Sequence, residues 1–241
     1  MVTAVADHIP EFDVGRVLFH GSGLLVVDKP SGSPVHEGEG HPRGLIDSLA
    51  MWITVNPRVL DIRPGKPIRP VNSLDRETSG VLLLGLARSM AKTVQQAFDK
   101  GSVEQRYLAV VAGPLAEHGT IEGNVRFKRH REYRLLPARL DFRRLRGDDR
   151  LSLAEVVSHG GRSHLIRSLF AQAGRPLAGD LRYGRPKPSR RFLEKFEVPD
   201  FLLHARTLTL PAAVLGADRT FEAPVPEAFQ KLCRQKRWEE L

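Results

Sequence analysis

One cysteine, Cys233, stands in 241 residues, so neither an intramolecular disulfide nor a cysteine-built zinc site can form. The nine histidines are scattered, and no two have the His-x-x-x-His spacing of a helical metal site. No phosphate loop is present. Gly65-Lys66-Pro67 lacks the upstream glycine and the Ser or Thr that would hold magnesium, and Gly21-Ser22-Gly23 is too short for a dinucleotide fingerprint. No metal and no nucleotide cofactor is therefore expected. No apolar run approaches the roughly 20 residues needed to cross a bilayer. The N-terminal stretch MVTAVADHIPEFDVGR lacks the basic start and apolar centre of a secretory signal, so a cytoplasmic protein with no membrane partner is expected.

The net charge of +9 is unevenly placed. Residues 126–150 carry ten Lys or Arg against four Asp or Glu, and residues 182–191 carry five basic residues and no acid. These two stretches hold more than the whole excess, and the rest of the chain is slightly acidic. Clustering of this kind suits a polyanion whose phosphates supply most of the affinity. Neither stretch reads as a clean amphipathic helix, which weakens a membrane-surface reading.

The length suits one large domain or two small ones. Strands are expected at 17–20, 24–27, 81–86, 105–113, 152–158 and 205–210, with paired strands and turns through the basic segment 126–150. Leu45, Ile46, Leu49, Trp52 and Ile53 recur at helical spacing, as do Met90, Val94, Ala97 and Phe98 behind a Ser89 cap. Leu165, Leu169 and Phe170 share a helix face that Gly174 ends, and a last helix starts at Pro226. Strands and helices mix without regular βαβ alternation. The expected fold is α+β: a mixed, largely antiparallel central sheet with flanking helices.

Within RPVNSLDRETSGVLLLGLA (69–87) a polar loop holding Asp75, Arg76, Glu77, Thr78 and Ser79 stands directly before a continuous apolar strand. Such a loop either turns the chain or sets a reactive group at a sheet edge. Alone, Asp75 reads as a turn or capping aspartate, Tyr107 as an ordinary strand aromatic, and Arg167 as a helix-surface or ion-paired residue.

Four stretches occur in order: LLVVDKPSGSPVH (24–36), SLDRETSG (73–80), QRYLAVVAG (105–113) and GRSHLIRSLFAQAGRPLAGDLRYG (161–184). Together they resemble the RluA-type family of pseudouridine synthases, from about Val17 to the last helix. The resemblance implies the pseudouridine-synthase catalytic fold, with Asp75 as the catalytic residue, Tyr107 against the target base and Arg167 paired with the aspartate. It implies isomerisation of uridine in rRNA or tRNA without a cofactor. The aspartate either attacks the anomeric carbon, where positive charge builds, or removes a neighbouring ribose proton. These two roles stay open. So does the role of Arg76, as a phosphate contact or an ion-pair residue in the surroundings of Glu77. Lys29, Arg162, His164, Arg143 and Arg144 complete the candidate RNA contacts.

Three departures from the family pattern stand out. Asn72-Ser73 replaces the usual His-Arg, Gln105 a common lysine and Leu165 a common glutamine. Ser73 cannot supply the arginine's charge or reach. The whole chain, core about 15–235, is expected to be one monomeric catalytic domain without a separate N-terminal RNA-binding module. Two rivals remain: an RNA-binding protein that keeps the fold without turnover, and a nucleoside hydrolase using Asp75.

Overall fold

A computed structural model describes residues 12–37, 43–129, 132–160, 164–239 and 241. The strands are β1 (Val17–Gly21), β2 (Leu24–Lys29), β3 (Arg69–Pro70), β4 (Ser79–Gly85), β5 (Glu104–Ala112), β6 (His118–Arg129), β7 (Glu132–Gly147), β8 (Leu151–Ser158), β9 (Leu203–Leu210) and β10 (Arg219–Glu222). The helices are α1 (Leu45–Val55), α2 (Arg88–Asp99), α3 (Leu165–Gln172), α4 (Pro186–Phe196), α5 (Ala212–Leu215) and α6 (Glu227–Lys236). All strands join one sheet in the order β1-β2-β4-β9-β5-β8-β7-β6, with β3 on β4 and β10 on β9. Among these pairings only β4 with β9 is parallel, so the mixed, largely antiparallel α+β sheet expected above is the fold.

The continuous apolar runs follow from a sheet covered on both faces. Along β2, Leu25 and Val27 turn towards α1 and α3, while Leu24 and Val26 turn towards α2. Further along the sheet, Leu108, Val110, Leu151 and Leu153 bury against α4 and α6, and Tyr107, Ala109 and Val156 lie on the α3 side. Cys233 is buried in α6 and takes part in no disulfide. Among the described residues no helix is long and apolar enough to cross a membrane.

The basic stretch 182–191 corrects one expectation. Its second half enters α4, a regular amphipathic helix that buries Ser189, Phe192 and Phe196 at helical spacing. Pro186 occupies the first helical position, where its missing N–H costs nothing. The apolar positions at 192 and 196 lie beyond the basic run, so charge and proline dominate the local pattern. Among the described residues of the other basic stretch, 126–129 end β6 and pair with the start of β7, as the expected paired strands do.

The parallel joint sets the position of the polar loop. Gly80 sits at φ +110° opposite Ala205, and a Cβ there would lie 2.2 Å from the Ala205 carbonyl oxygen. Beside it, buried Ser79 Oγ lies 2.9 Å from His204 Nδ1. Burial pushes the His204 imidazole down to about 4, so the folded protein holds it neutral. The unfolded chain takes up this proton below about pH 6.5, and stability from this group is lost as pH falls towards 4. Urea unfolding between pH 6.5 and 4 is expected to show a slope about 1.4 kcal/mol per pH unit steeper for wild type than for His204→Asn. Equal slopes would contradict this.

Candidate active site

Asp75 hangs in the turn between β3 and β4, where the Thr78 amide donates to the Asp75 carbonyl at 3.1 Å. Its loop is tied down from two sides. Asn72 is buried, accepting from the Leu83 amide at 2.7 Å and donating to the Val81 carbonyl at 3.0 Å. The residue that departs from the family pattern is thus a strap joining the loop to β4, while Ser73 is exposed. From the other side, the Gly32 amide donates to the Arg76 carbonyl at 2.9 Å and Ser31 Oγ donates to the Glu77 carbonyl at 2.6 Å.

Lys29 completes this clamp, which corrects its expected place among the RNA contacts. Its side chain is fully buried, and Nζ donates to the carbonyls of Pro30, Ser33 and Arg76 at 2.9, 2.7 and 2.8 Å. An ammonium has three donors, and all three are spent on backbone. Burial pushes it down to about 7, against Glu77, Asp75 and Asp28, which hold it up. Lys29 holds the backbone next to Asp75 and has no surface to offer a phosphate.

Arg167, buried in the first turn of α3, bridges two carboxylates. Nη1 donates to Asp75 Oδ2 at 2.9 Å, while Nε and Nη2 donate to the two oxygens of Asp180 at 2.7 and 3.0 Å. Phe201 stacks on the guanidinium, 4.2 Å from the ring centroid. Burial opposes its charge, but the two carboxylates outweigh burial and raise its pKa. Asp180 is itself fully buried and accepts at Oδ1 from the amides of Arg182 and Tyr183 at 2.9 and 3.0 Å. Burial alone would raise its pKa; Arg167 and those two amides hold its carboxyl below the usual range. Sequence reading passed over Asp180 although it lies inside the stretch GDLRYG. Its turn-forming amide contacts are a readable signal, but its partner lies 13 residues away.

Tyr107, on β5, is almost wholly buried and donates to Gln105 Oε1 at 3.1 Å. Gln105, another departure from the family pattern, is therefore the residue that aims the phenol. Burial, with the charge of Asp75 behind it, pushes the phenol well above its usual range, so it stays a neutral hydroxyl. Leu165, the third departure, is core. His164 caps α3 in the left-handed region, with Nε2 3.6 Å from Asp75 Oδ1. Burial pushes its imidazole down, against the pull of Asp75.

The expected trio meets in one place. Asp75, Tyr107 and Arg167 line a cavity of about 30 Å³, with Thr78 and His164 in its wall. This holds one or two waters and no uracil ring, so seating a base against Tyr107 requires the wall to move. Asp75, His164 and Arg167 also line a second, open cavity of about 390 Å³, shared with Arg76, Arg182 and Phe201. That volume falls in the range of small-ligand sites. Among the described residues no three His, Cys, Asp or Glu side chains converge as a metal site.

The remaining candidates scatter. Arg76 pairs with Glu77 at 3.0 Å and is exposed at the rim of the larger cavity. Arg162 lies outside the described residues. Arg143 is a correction. It sits opposite Glu155, which sits opposite Leu108, whereas Phe142, Val156 and Tyr107 align on the neighbouring positions. Side chains alternate across a sheet, so Arg143 projects from the face opposite Tyr107, where it pairs with Glu155 at 3.3 Å. Arg144, exposed one residue on, is opposite Ala154 on the Tyr107 side.

The family described as RNA pseudouridylate synthase matches residues 23–172, which include the Asp75 loop, Tyr107 and Arg167. The chain is 30% identical over 230 residues to "Ribosomal large subunit pseudouridine synthase D" of Nitrosomonas europaea, covering 90% of this chain and 64% of that protein. It is 33% identical over 232 residues to the protein of the same name from Xanthomonas campestris, covering 90% of this chain and 68% of the other. With "tRNA pseudouridine synthase C" of Haemophilus ducreyi it shares 28% identity over 241 residues, covering 92% and 96%. The chain thus spans about two thirds of the first two relatives and nearly all of the third. Among solved structures, "Human RNA Pseudouridylate Synthase Domain Containing 4" shares the fold, with a TM-score of 0.73 at 22% identity over 92% of this chain and 93% of that one. With the ordered motifs, the sheet and this match in agreement, the chain belongs to the RluA-type RNA pseudouridylate synthase family.

Proposed function

We propose that this chain converts uridine to pseudouridine in ribosomal or transfer RNA, with Asp75 as the reacting carboxylate, Arg167 as its holder and Tyr107 facing the base. The observation that carries the proposal is the state of Asp75. One of its oxygens is fixed by a buried guanidinium at 2.9 Å, and the residue lies at the border of two cavities. The names of the relatives supply the two RNA classes.

The reaction is an isomerisation and balances without an added reagent. The bond from ribose C1′ to uracil N1 breaks, the ring turns, C5 bonds to C1′, the C5 proton leaves, and N1 gains a proton. Positive charge builds at C1′ as the first bond breaks, and a carboxylate held beside it stabilises or traps that charge. Acting as a base on the neighbouring ribose carbon is the other use of the same oxygen. Tyr107 contributes a flat neutral wall, and its oxygen keeps lone pairs for the departing C5 proton. The target nucleotide must leave its stack, which costs a few kcal/mol and least in loops or single strands.

The test is to incubate the protein with bulk tRNA and rRNA, digest to nucleosides and separate the products. Pseudouridine without free uracil is expected. Free uracil would mean hydrolysis, and RNA binding without either product would mean a non-catalytic RNA-binding protein.

A further inference from the structure

We propose that Arg182 is the phosphate contact of this site, seating the RNA backbone in the larger cavity next to Asp75. The inference rests on the RNA-modifying reading above and adds the residue that engages the backbone. Ser73 leaves a vacancy in positive charge on the Asp75 loop, and the cavity walls show where a replacement stands. Of the three guanidiniums there, Arg167 is shared between Asp75 and Asp180, and Arg76 is paired with Glu77. Arg182 is exposed, and among the described residues no carboxylate lies within ion-pair distance of it; its near neighbour is the Tyr183 ring, 5.6 Å from the guanidinium.

The position of Arg182 is set with unusual economy. Its backbone amide donates to Asp180 Oδ1 at 2.9 Å, and Asp180 also forks Arg167. One buried carboxylate therefore registers both the arginine that holds Asp75 and the arginine that faces the incoming chain. A guanidinium is the side chain best matched to a phosphate, through two parallel N–H donors. The cavity rim also carries Asp200 and Glu77. A phosphate in this cavity is repelled by Asp200 and attracted by Arg182.

Arg143 provides the control. It is as exposed and as positive, but it lies on the opposite sheet face and is paired with Glu155, which keeps Arg106 as a second partner. Affinity for a uridine-containing rRNA or tRNA fragment should be measured for wild type, Arg182→Gln, Arg182→Lys and Arg143→Gln from 50 to 300 mM KCl. Arg182→Gln is expected to raise Kd and KM about tenfold at moderate salt, with kcat within about twofold. It should also flatten the log–log salt slope by about 0.7 to 0.9, one phosphate contact. Arg182→Lys should recover the slope and only part of the affinity, since a point charge replaces a fork. Arg143→Gln should behave as wild type. A wild-type slope in Arg182→Gln, or an equal loss in Arg143→Gln, would overturn the assignment. Absence of pseudouridine from wild-type reactions would instead sink the functional reading, and the binding measurements would still decide Arg182.

Discussion

Asp75→Asn is expected to fold, to bind RNA within about threefold of wild type, and to lose a thousandfold or more of its turnover. Asparagine keeps the volume and one oxygen that can still accept from Arg167. The second oxygen becomes an amide NH₂, a donor placed where wild type has Asp75 Oδ1 facing His164. A neutral amide neither stabilises positive charge at C1′ nor takes a ribose proton, so both open mechanisms fail together. Affinity does not fall, because the substitution removes a negative charge beside a polyanion. Stability should fall modestly, since Arg167 keeps both bonds to Asp180. Single-turnover conversion and RNA binding, measured on the same preparation, check these expectations; retained turnover in the variant would remove Asp75 from the chemistry.

Asp180→Asn is expected to have the second largest effect, first on stability and then on rate. Removing the charge leaves Arg167, whose side chain is only 6% exposed, with Asp75 as its single carboxylate. Breaking one arm of a buried charged network costs about 3–5 kcal/mol. For a chain of this size that is a fall of roughly 10 °C in melting temperature. Well below the new melting point, the freed guanidinium no longer fixes the Asp75 oxygen, and kcat should fall at least tenfold. A buried carboxylate can also act only as a structural support, so a second readout separates the two roles. A purely structural Asp180 would lower melting temperature and leave kcat at 15 °C unchanged. A network role lowers both, and Asp180→Glu should recover part of the stability without the rate, because the fork must shift.

Much of the fold could be read from the chain. The runs at 24–27 and 81–86, all but Leu86, lie in buried strands because helices cover both sheet faces, and the helical spacing at 45–53 and 165–170 marks α1 and α3. The motifs located Asp75, Tyr107 and Arg167, which meet around one cavity. What escaped reading depends on partners distant in sequence. Lys29 ends β2 next to a Pro- and Gly-rich stretch, a position that looks exposed in sequence, and only the convergence of three carbonyls, one from Arg76, makes its burial tolerable. Arg143 looks like any basic strand residue until its register with Glu155 assigns it to a face. Asp180 reads as a turn aspartate, and half of its role lies with Arg167. The strands β3 and β10, two and four residues long, are too short for a periodic signal and exist because β4 and β9 offer edges to pair with. Helix α4 hides its apolar stripe behind prolines and charge. The departures at Asn72 and Gln105, which cast doubt on RNA engagement when read alone, are supports for the Asp75 loop and for Tyr107.

The most direct test of the central claim uses RNA carrying tritium at uridine C5, incubated with wild type and with Asp75→Asn. If Asp75, held by Arg167, drives the isomerisation, wild type releases tritium to water in step with pseudouridine formation and the variant releases none above background. Equal release by both proteins, or none by wild type bound to RNA, would contradict it.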